Sequence, residues 1–259
     1  MRPALAWIGL VLLTISFIWF VQQRSPFYPT NAPPRRPTEK AAQPLAVVLD
    51  PGHGGQDSGA MCGEVMEKDL TLDVALRAEL LLRAGGYATV LTRESDRYLS
   101  LGERAAVANR QKNALFVSIH FNDEKGPTVT GVETYYARQQ ADLRFDFLAW
   151  LPFLKREDAT PLSAQSANLA HFIQAALVER TRALNRGTKS AQFYVIANVR
   201  HPAALVEGGF ITNKSDVTKL ATAEYRQQIA SAISDGIVRY REMLWQNEPT
   251  LAWAAGGSE

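Results

Sequence analysis

The segment VVLDPGHGGQDSGA, residues 47–60, constrains the fold more than any other stretch of the chain. Val47, Val48 and Leu49 form an unbroken run of apolar, β-prone residues, the pattern of a strand covered on both faces. Such a strand belongs inside a sheet with helices above and below it. The run stops in a glycine-rich turn that holds His53 at the strand's carboxyl tip, the edge where open α/β sheets bind their ligands.

The rest of the chain alternates accordingly. LAVVLD (45–50) reads as a strand, and 67–83 as a helix with Leu70, Val74, Ala78 and Leu81 on one face, stopped by Gly85 and Gly86. YATVLTR (87–93) is the next strand. Ser100 and Glu103 make a capping-box pattern for a helix through Asn109. ALFVSIH (114–120) and GVETYYA (131–137) read as strands, Ser166 as the cap of a helix reaching about Leu184, and FYVIAN (193–198) and AALVEGG (203–209) as short strands. A closing helix over 223–244 carries Tyr225, Ile229, Ile233, Ile237, Tyr240 and Leu244 at helical spacing. The pattern predicts an α/β fold with helices on both faces of one sheet, a single domain over 45–244 and a flexible tail over 245–259. No internal repeat is present.

Composition narrows the partners. The net charge is only +2 and the basic residues are dispersed, so the chain has no electrostatic footprint for nucleic acid. The lone cysteine, Cys62, excludes an intrachain disulfide framework and a multi-cysteine metal site. Its spacing from His53 and Glu67 does not argue for a nucleophile, and it reads as a loop residue.

Residues 3–21 (PALAWIGLVLLTISFIWFV) are uncharged and about long enough to cross a bilayer as a helix, with Trp7 and Trp19 near the ends. The run is long for a cleaved signal peptide and no small-x-small site follows, so 1–21 is expected to be an uncleaved signal anchor. Charge does not set its orientation, because Arg2 faces Arg24, Arg35, Arg36 and Lys40 across the span. Residues 22–44 are rich in proline and lack a hydrophobic period, as in a semi-extended tether.

His120 closes ALFVSIH, Glu207 closes AALVEGG and Glu67 opens the first long helix, so all three sit at element ends toward the edge that holds His53. A His, His, Glu set leaves one tetrahedral position open on Zn2+, as catalytic rather than structural sites do. Glu207, off the metal, is then suited to take a proton from water and hand it to a leaving amine, which is hydrolysis of an amide or peptide bond. The four residues are far apart in sequence and no HExxH motif occurs, so spacing leaves other readings open. A histidine ending a strand is commonly a core or capping residue. A DPGHGG loop can also cradle phosphate, although this one lacks the GK[ST] ending.

The motifs VVLDPGHGGQDSGA, MEKDLTLDVAL, VLTRESDRYLSLGERAAVANR, ALFVSIHFND, GVETYY and PAALVEGGFITNKSD, in this order, closely resemble the zinc-dependent N-acetylmuramoyl-L-alanine amidases of bacterial cell walls. The match covers nearly all of 45–240. The resemblance implies a mixed central sheet flanked by helices, one Zn2+ per chain held by His53, Glu67 and His120, and Glu207 as catalytic acid/base. It implies peptidoglycan as substrate, cut between N-acetylmuramic acid and L-alanine in wall remodelling or cell separation. Peptidoglycan lies outside the cytoplasmic membrane, so the domain is expected on the extracytoplasmic side of a single-pass anchor. A catalytically silent wall-binding scaffold and a zinc peptidase of wall cross-links are the rival readings.

Three further residues are candidates. Asn122 orients His120, touches substrate or merely closes its turn. Asp50 serves either as a hydrogen-bond partner behind His53 or, like Asp57, in loop bonding. His201 is expected to line the cleft without binding metal, and His171, inside a helix, to be a surface or core residue. Residues 138–161 depart from the family pattern: Phe145, Phe147, Leu148, Trp150, Leu151, Phe153 and Leu154 are too many apolar groups for a solvated loop. Some relatives carry an inhibitory helix in this region that a partner removes. Here the segment is expected to cover the cleft until an activator displaces it, to dip into a membrane surface, or to pack on the sheet.

Overall fold

In a computed structural model of the chain, residues 45–247 are described, except 125, 127 and 141–160. The anchor and tether expected over 1–44, most of the apolar 138–161 stretch and the tail from 248 lie outside the described residues. Among those described, no helix is long and apolar enough to cross a membrane.

Strand β1 (Ala46–Pro51) leads through a hairpin of β2 (Met61–Cys62) and β3 (Val65–Met66) into helix α1 (Glu67–Ala84). Then follow β4 (Ala88–Leu91), α2 (Leu101–Asn109), β5 (Ala114–Asn122) and β6 (Val132–Tyr136). Helix α3 (Pro161–Thr181), β7 (Asn185–Ser190), α4 (Tyr194–Ala197), β8 (Ala203–Phe210), α5 (Lys214–Leu220) and α6 (Ala223–Asn247) complete the order. The six main strands form one sheet in the order β4-β1-β5-β8-β6-β7. β4, β1, β5 and β8 are mutually parallel, β6 runs antiparallel to β8, and β7 is parallel to β6, so the sheet is mixed.

Alternation along the strands sends side chains to two cores. Leu115, Val117, Ile119 and Phe121 of β5 join the core under α1, α3 and α6, where Val74, Ile173, Ile233 and Tyr240 are completely buried. Ala114 and Phe116 join the opposite core with Ala105 and Ala108 of α2 and Val195 and Ile196 of α4. Among the described residues, that second face is covered by helices of nine and four residues. Toward its carboxyl-terminal edge polar groups replace apolar ones: β1 passes from Val48 to Asp50, β5 from Phe116 to Ser118 and His120, and β8 from Leu205 to Glu207.

Local signals act where they are strongest. The Ser100 and Glu103 capping box is complete at the start of α2, and α1 ends at Gly85, whose N–H donates to Leu81 O. FYVIAN is not a strand: Tyr194–Ala197 form the single turn α4, since a short apolar run has no periodicity to separate helix from strand. β7 is polar, NRGTKS, and lies at the sheet edge, where no hydrophobic alternation is required. Ser166 is not a cap, because α3 begins five residues earlier. Its Oγ donates to Gln140 Oε1 (2.6 Å) and accepts from Ala203 N (2.9 Å). Gln140 Nε2 in turn donates to the carbonyls of Ile196, Val199 and His201, and Ser163 Oγ to Ala137 O.

Candidate metal centre

Strand register builds the site. Parallel pairing sets His120 of β5 beside Glu207 of β8, and antiparallel pairing sets Glu207 beside Glu133 of β6. Residues paired across neighbouring strands share a face, so the three side chains form a row at the thinly covered edge. On the other flank, Gly52 N donates to Ile119 O (3.0 Å), which carries the chain past the His120 ring.

His53 lies in the left-handed region, at φ +58°, a conformation that costs a non-glycine residue energy and is kept where the surroundings enforce it. Its Nδ1 is 2.9 Å from Asp57 Oδ2 and its Nε2 is 3.0 Å from Glu67 Oε2. Glu67 Oε1 is 2.9 Å from His120 Nδ1. Donor atoms of His53, Glu67 and His120 all lie within 4.8 Å of one another. Donors about 2.0–2.1 Å from a tetrahedral ion stand about 3.3 Å apart, so two imidazoles and one carboxylate at these separations fit Zn2+ with a position to spare.

Glu67 is the first residue of α1, buried, and accepts from Ala60 N (2.9 Å) and Phe121 N (3.0 Å) as well as meeting both histidines. Burial works against its charge, but the hydrogen bonds with His120 and His53 outweigh it and hold the carboxyl well below the usual range. Burial likewise lowers the His53 pKa, and the Glu67 and Asp57 carboxylates more than reverse it. Two glycines make room for these side chains. A Cβ on Gly52 would lie 2.3 Å from His120 Cε1, and one on Gly59, at φ +64°, would lie 2.5 Å from Glu67 Oε2.

Glu207 is half-buried overall, yet its Oε2 is closed off and meets no hydrogen-bond partner among the described residues. Burial, then the charges of Glu67 and Glu133, push its pKa well up. Glu133 behaves oppositely. Its burial is overcome by donors from Lys189 Nζ, Tyr135 Oη (2.6 Å) and Arg186 Nε (2.8 Å), which hold it ionised. The two neighbouring carboxyls are thus driven apart in proton affinity.

The structure brings His53, Glu67, His120 and Glu207 to one edge of the sheet, keeps Asn122 at that edge on Glu133, and gives Asp50 and His201 other partners. Asp50 is not behind His53: its Oδ1 accepts from Thr92 Oγ1 (2.6 Å) and Arg104 Nη1 (2.9 Å), and its Oδ2 from Ser118 Oγ (2.8 Å). As part of β1 it points into the sheet, whereas the turn folds Asp57 back onto the imidazole four residues before it. Asn122 does not orient His120, since its Nδ2 donates to Glu133 Oε1 (2.9 Å). His201 does not line the cleft. It precedes β8 at the end of the sheet opposite Glu207, and its Nε2 is 3.1 Å from Gln111 O. Cys62 is exposed on the hairpin, and His171 stands edge-on to Phe172 in α3.

Glu133, Arg93 and Arg104 are absent from the sequence reading. Their one signal is a charged residue at a position whose pattern faces a core: Glu133 between β-branched and aromatic residues in GVETYY, Arg93 ending VLTR, and Arg104 beside the buried Ala105.

Fold and donor set together define an α/β protein with a His, Glu, His cluster that could hold one metal ion. A family model described as N-acetylmuramoyl-L-alanine amidase matches residues 47–239. The chain is 40% identical over 194 residues to N-acetylmuramoyl-L-alanine amidase LytC of Bacillus subtilis, covering 75% of this chain and 35% of that protein's length. Among solved structures, amidase AmiC2 of Nostoc punctiforme shares 35% identity at a TM-score of 0.65, over 76% of this chain and 97% of that one. The CwlD amidase of Clostridioides difficile, solved in complex with the GerS lipoprotein, shares 26% identity at 0.65, over 77% and 99%. The chain belongs to the N-acetylmuramoyl-L-alanine amidase family.

Gly52→Ala tests the packing of loop on ligand. A methyl group there must displace the His120 ring, so zinc affinity measured by chelator competition should fall at least about tenfold while far-UV circular dichroism stays unchanged. Wild-type affinity in this variant contradicts the assigned role of His120.

Proposed function

We propose that this chain hydrolyses the amide bond between the lactyl group of N-acetylmuramic acid and the amino group of L-alanine in peptidoglycan, with His53, Glu67 and His120 holding Zn2+ and Glu207 as acid/base. The observation that carries this reading is the register pair His120 and Glu207, which places an unpartnered carboxyl oxygen next to the three-donor cluster. Zn2+, when bound, supplies Lewis-acid polarisation of a carbonyl and an acidified water.

The chain's own groups do the rest. Asp57, accepting at His53 Nδ1, keeps the proton on that nitrogen and leaves the Nε2 lone pair facing Glu67 and the centre. Glu67 neutralises one of the cation's charges and, tied to Ala60 N and Phe121 N, cannot swing away. Glu207 would take a proton from the attacking water and hand that same proton to the alanine nitrogen as it leaves the tetrahedral carbon; its closed-off Oε2 and the charges of Glu67 and Glu133 raise its proton affinity for that task. Glu133, held charged by Lys189, Tyr135 and Arg186, adds to that affinity.

The same reading places residues 1–21 in the cytoplasmic membrane as a single-pass anchor and residues 22–44 as the tether that holds the domain on the wall side. It also takes 138–161 as a cover for the cleft that an activator protein displaces; the CwlD amidase, solved in complex with a lipoprotein, is a precedent for a partner.

Four experiments test these statements. Incubated with purified peptidoglycan, the full chain should release stem peptides with a free amino-terminal L-alanine, a product abolished by chelation and restored by zinc. Glu207→Gln should keep zinc and lose about 10²–10⁴ in turnover, and a fully active variant removes Glu207 from the mechanism. A chain lacking 1–44 should leave the membrane fraction with its specific activity intact; retention there means that the anchor lies elsewhere. Deleting 141–160 should raise the rate on peptidoglycan several-fold, and an unchanged rate overturns the cover.

A further inference from the structure

Under the His53 turn lie two guanidinium groups that take no part in the reaction. Arg93, two residues beyond β4, is completely buried. Its Nε donates to Pro51 O (3.1 Å), its Nη2 to Gly52 O (2.7 Å), Lys68 O (2.8 Å) and Thr71 Oγ1 (3.1 Å), and its Nη1 to Ser95 O (3.2 Å). Among the described residues no carboxylate accepts from it. Arg104, on α2 and also buried, donates from Nη1 to Pro51 O (2.6 Å) and Asp50 Oδ1, and from Nη2 to His53 O (2.6 Å). Three successive carbonyls, of Pro51, Gly52 and His53, therefore all end on a guanidinium. The Lys68 carbonyl that Arg93 also holds belongs to the residue directly after Glu67.

A buried cation satisfied only by neutral acceptors is costly, and an apolar side chain of similar volume is commonly as stable or more so. Two positive groups behind a cation site also oppose it electrostatically; Asp50 bonds Arg104, and Asp50, Asp96 and Asp69 offset only part of the cost of Arg93, whose charge burial and Arg104 disfavour. Neither stability nor charge explains Arg93, but geometry does. A planar fork of five donors can hold several carbonyls at fixed angles, and no ammonium can.

We infer that Arg93 and Arg104 are positioning residues for the metal centre, fixing the carbonyls of 51–53 and of Lys68 in one frame and so setting the spacing of His53 and Glu67 before a cation arrives. Thr71 completes the frame, donating from its Oγ1 to Gly52 O (2.9 Å). His53 is held left-handed because its own carbonyl is pinned by Arg104 while its ring is pinned by Asp57. This inference rests on the metal reading of the preceding section.

The test is the zinc dissociation constant of the full chain, stripped by chelation and titrated against a chromophoric chelator, with the urea midpoint of the metal-free form measured on the same samples. Arg93→Lys and Arg104→Lys keep the charge and lose the fork, and their zinc affinity should weaken by about 10- to 100-fold. Thr71→Val, which disturbs no charge, should weaken it several-fold. Ser166→Ala, which loosens Gln140 and Ala203 at the opposite end of the sheet, should lower the urea midpoint and leave zinc affinity within twofold of wild type. Wild-type affinity in a folded Arg93→Lys, or a loss no greater than in Ser166→Ala, overturns the inference. Should both lysine variants fail to fold, Thr71→Val decides it, and unchanged affinity there overturns it. A wild-type chain that binds no zinc instead overturns the metal reading itself, and the inference with it.

Discussion

One buried carboxylate ties the functional edge together. Glu67 accepts from backbone N–H groups on either side of it, at Ala60 before the hairpin and Phe121 at the end of β5, and meets both histidines. It therefore joins the first turn of α1, the glycine-rich loop and the central strand through one side chain. Without these partners a carboxylate so enclosed would protonate. With them its charge persists, and the two imidazoles have a fixed point around which to arrange themselves. The loop's glycines follow from the same constraint, because the backbone must pass within contact of rings that lean on Glu67.

The mixed sheet supports this arrangement by placing unlike neighbours side by side. Glu207 lies between His120, from a parallel strand, and Glu133, from an antiparallel one. The three arrive from distant parts of the chain but occupy one row because register, once set by the apolar residues below, leaves no freedom above. Lys189 and Arg186 then absorb the charge of Glu133, while Glu207 Oε2 meets no partner among the described residues and burial pushes its pKa up. The proton affinities of two adjacent carboxyls are thus driven in opposite directions by what surrounds them.

Much of this is legible in the residues themselves. The unbroken Val47–Leu49 run, the capping box at Ser100 and the helical spacing from Tyr225 to Leu244 are strong local signals, and each element stands where the pattern puts it. The histidines and glutamates at element ends are visible for the same reason, since periodicity marks where strands stop. What was not legible depends on partners distant in sequence. FYVIAN becomes a helical turn because the space above β8 admits one, and NRGTKS becomes a strand because β6 offers an edge. Asp50, not Asp57, is the partner for His53 that the residues suggest, and only the fold of the turn shows that Asp57 takes that place. Arg93 and Arg104 carry no reading in the sequence, because the carbonyls they collect come from a loop about forty to fifty residues earlier.

The reversal of β6 has a bearing on how the two ends of the sheet depend on each other. Because β6 runs against β8, it delivers Gln140 to the end of the sheet away from His53, Glu67 and His120, where three carbonyls and Ser166 clasp it, and α3 sets out from the same end with Ser163 bonded to Ala137. These bonds share no group with those of the glycine-rich loop. Damage at Gln140 or Ser163 thus loosens one end of the fold without passing through the residues that gather at the other.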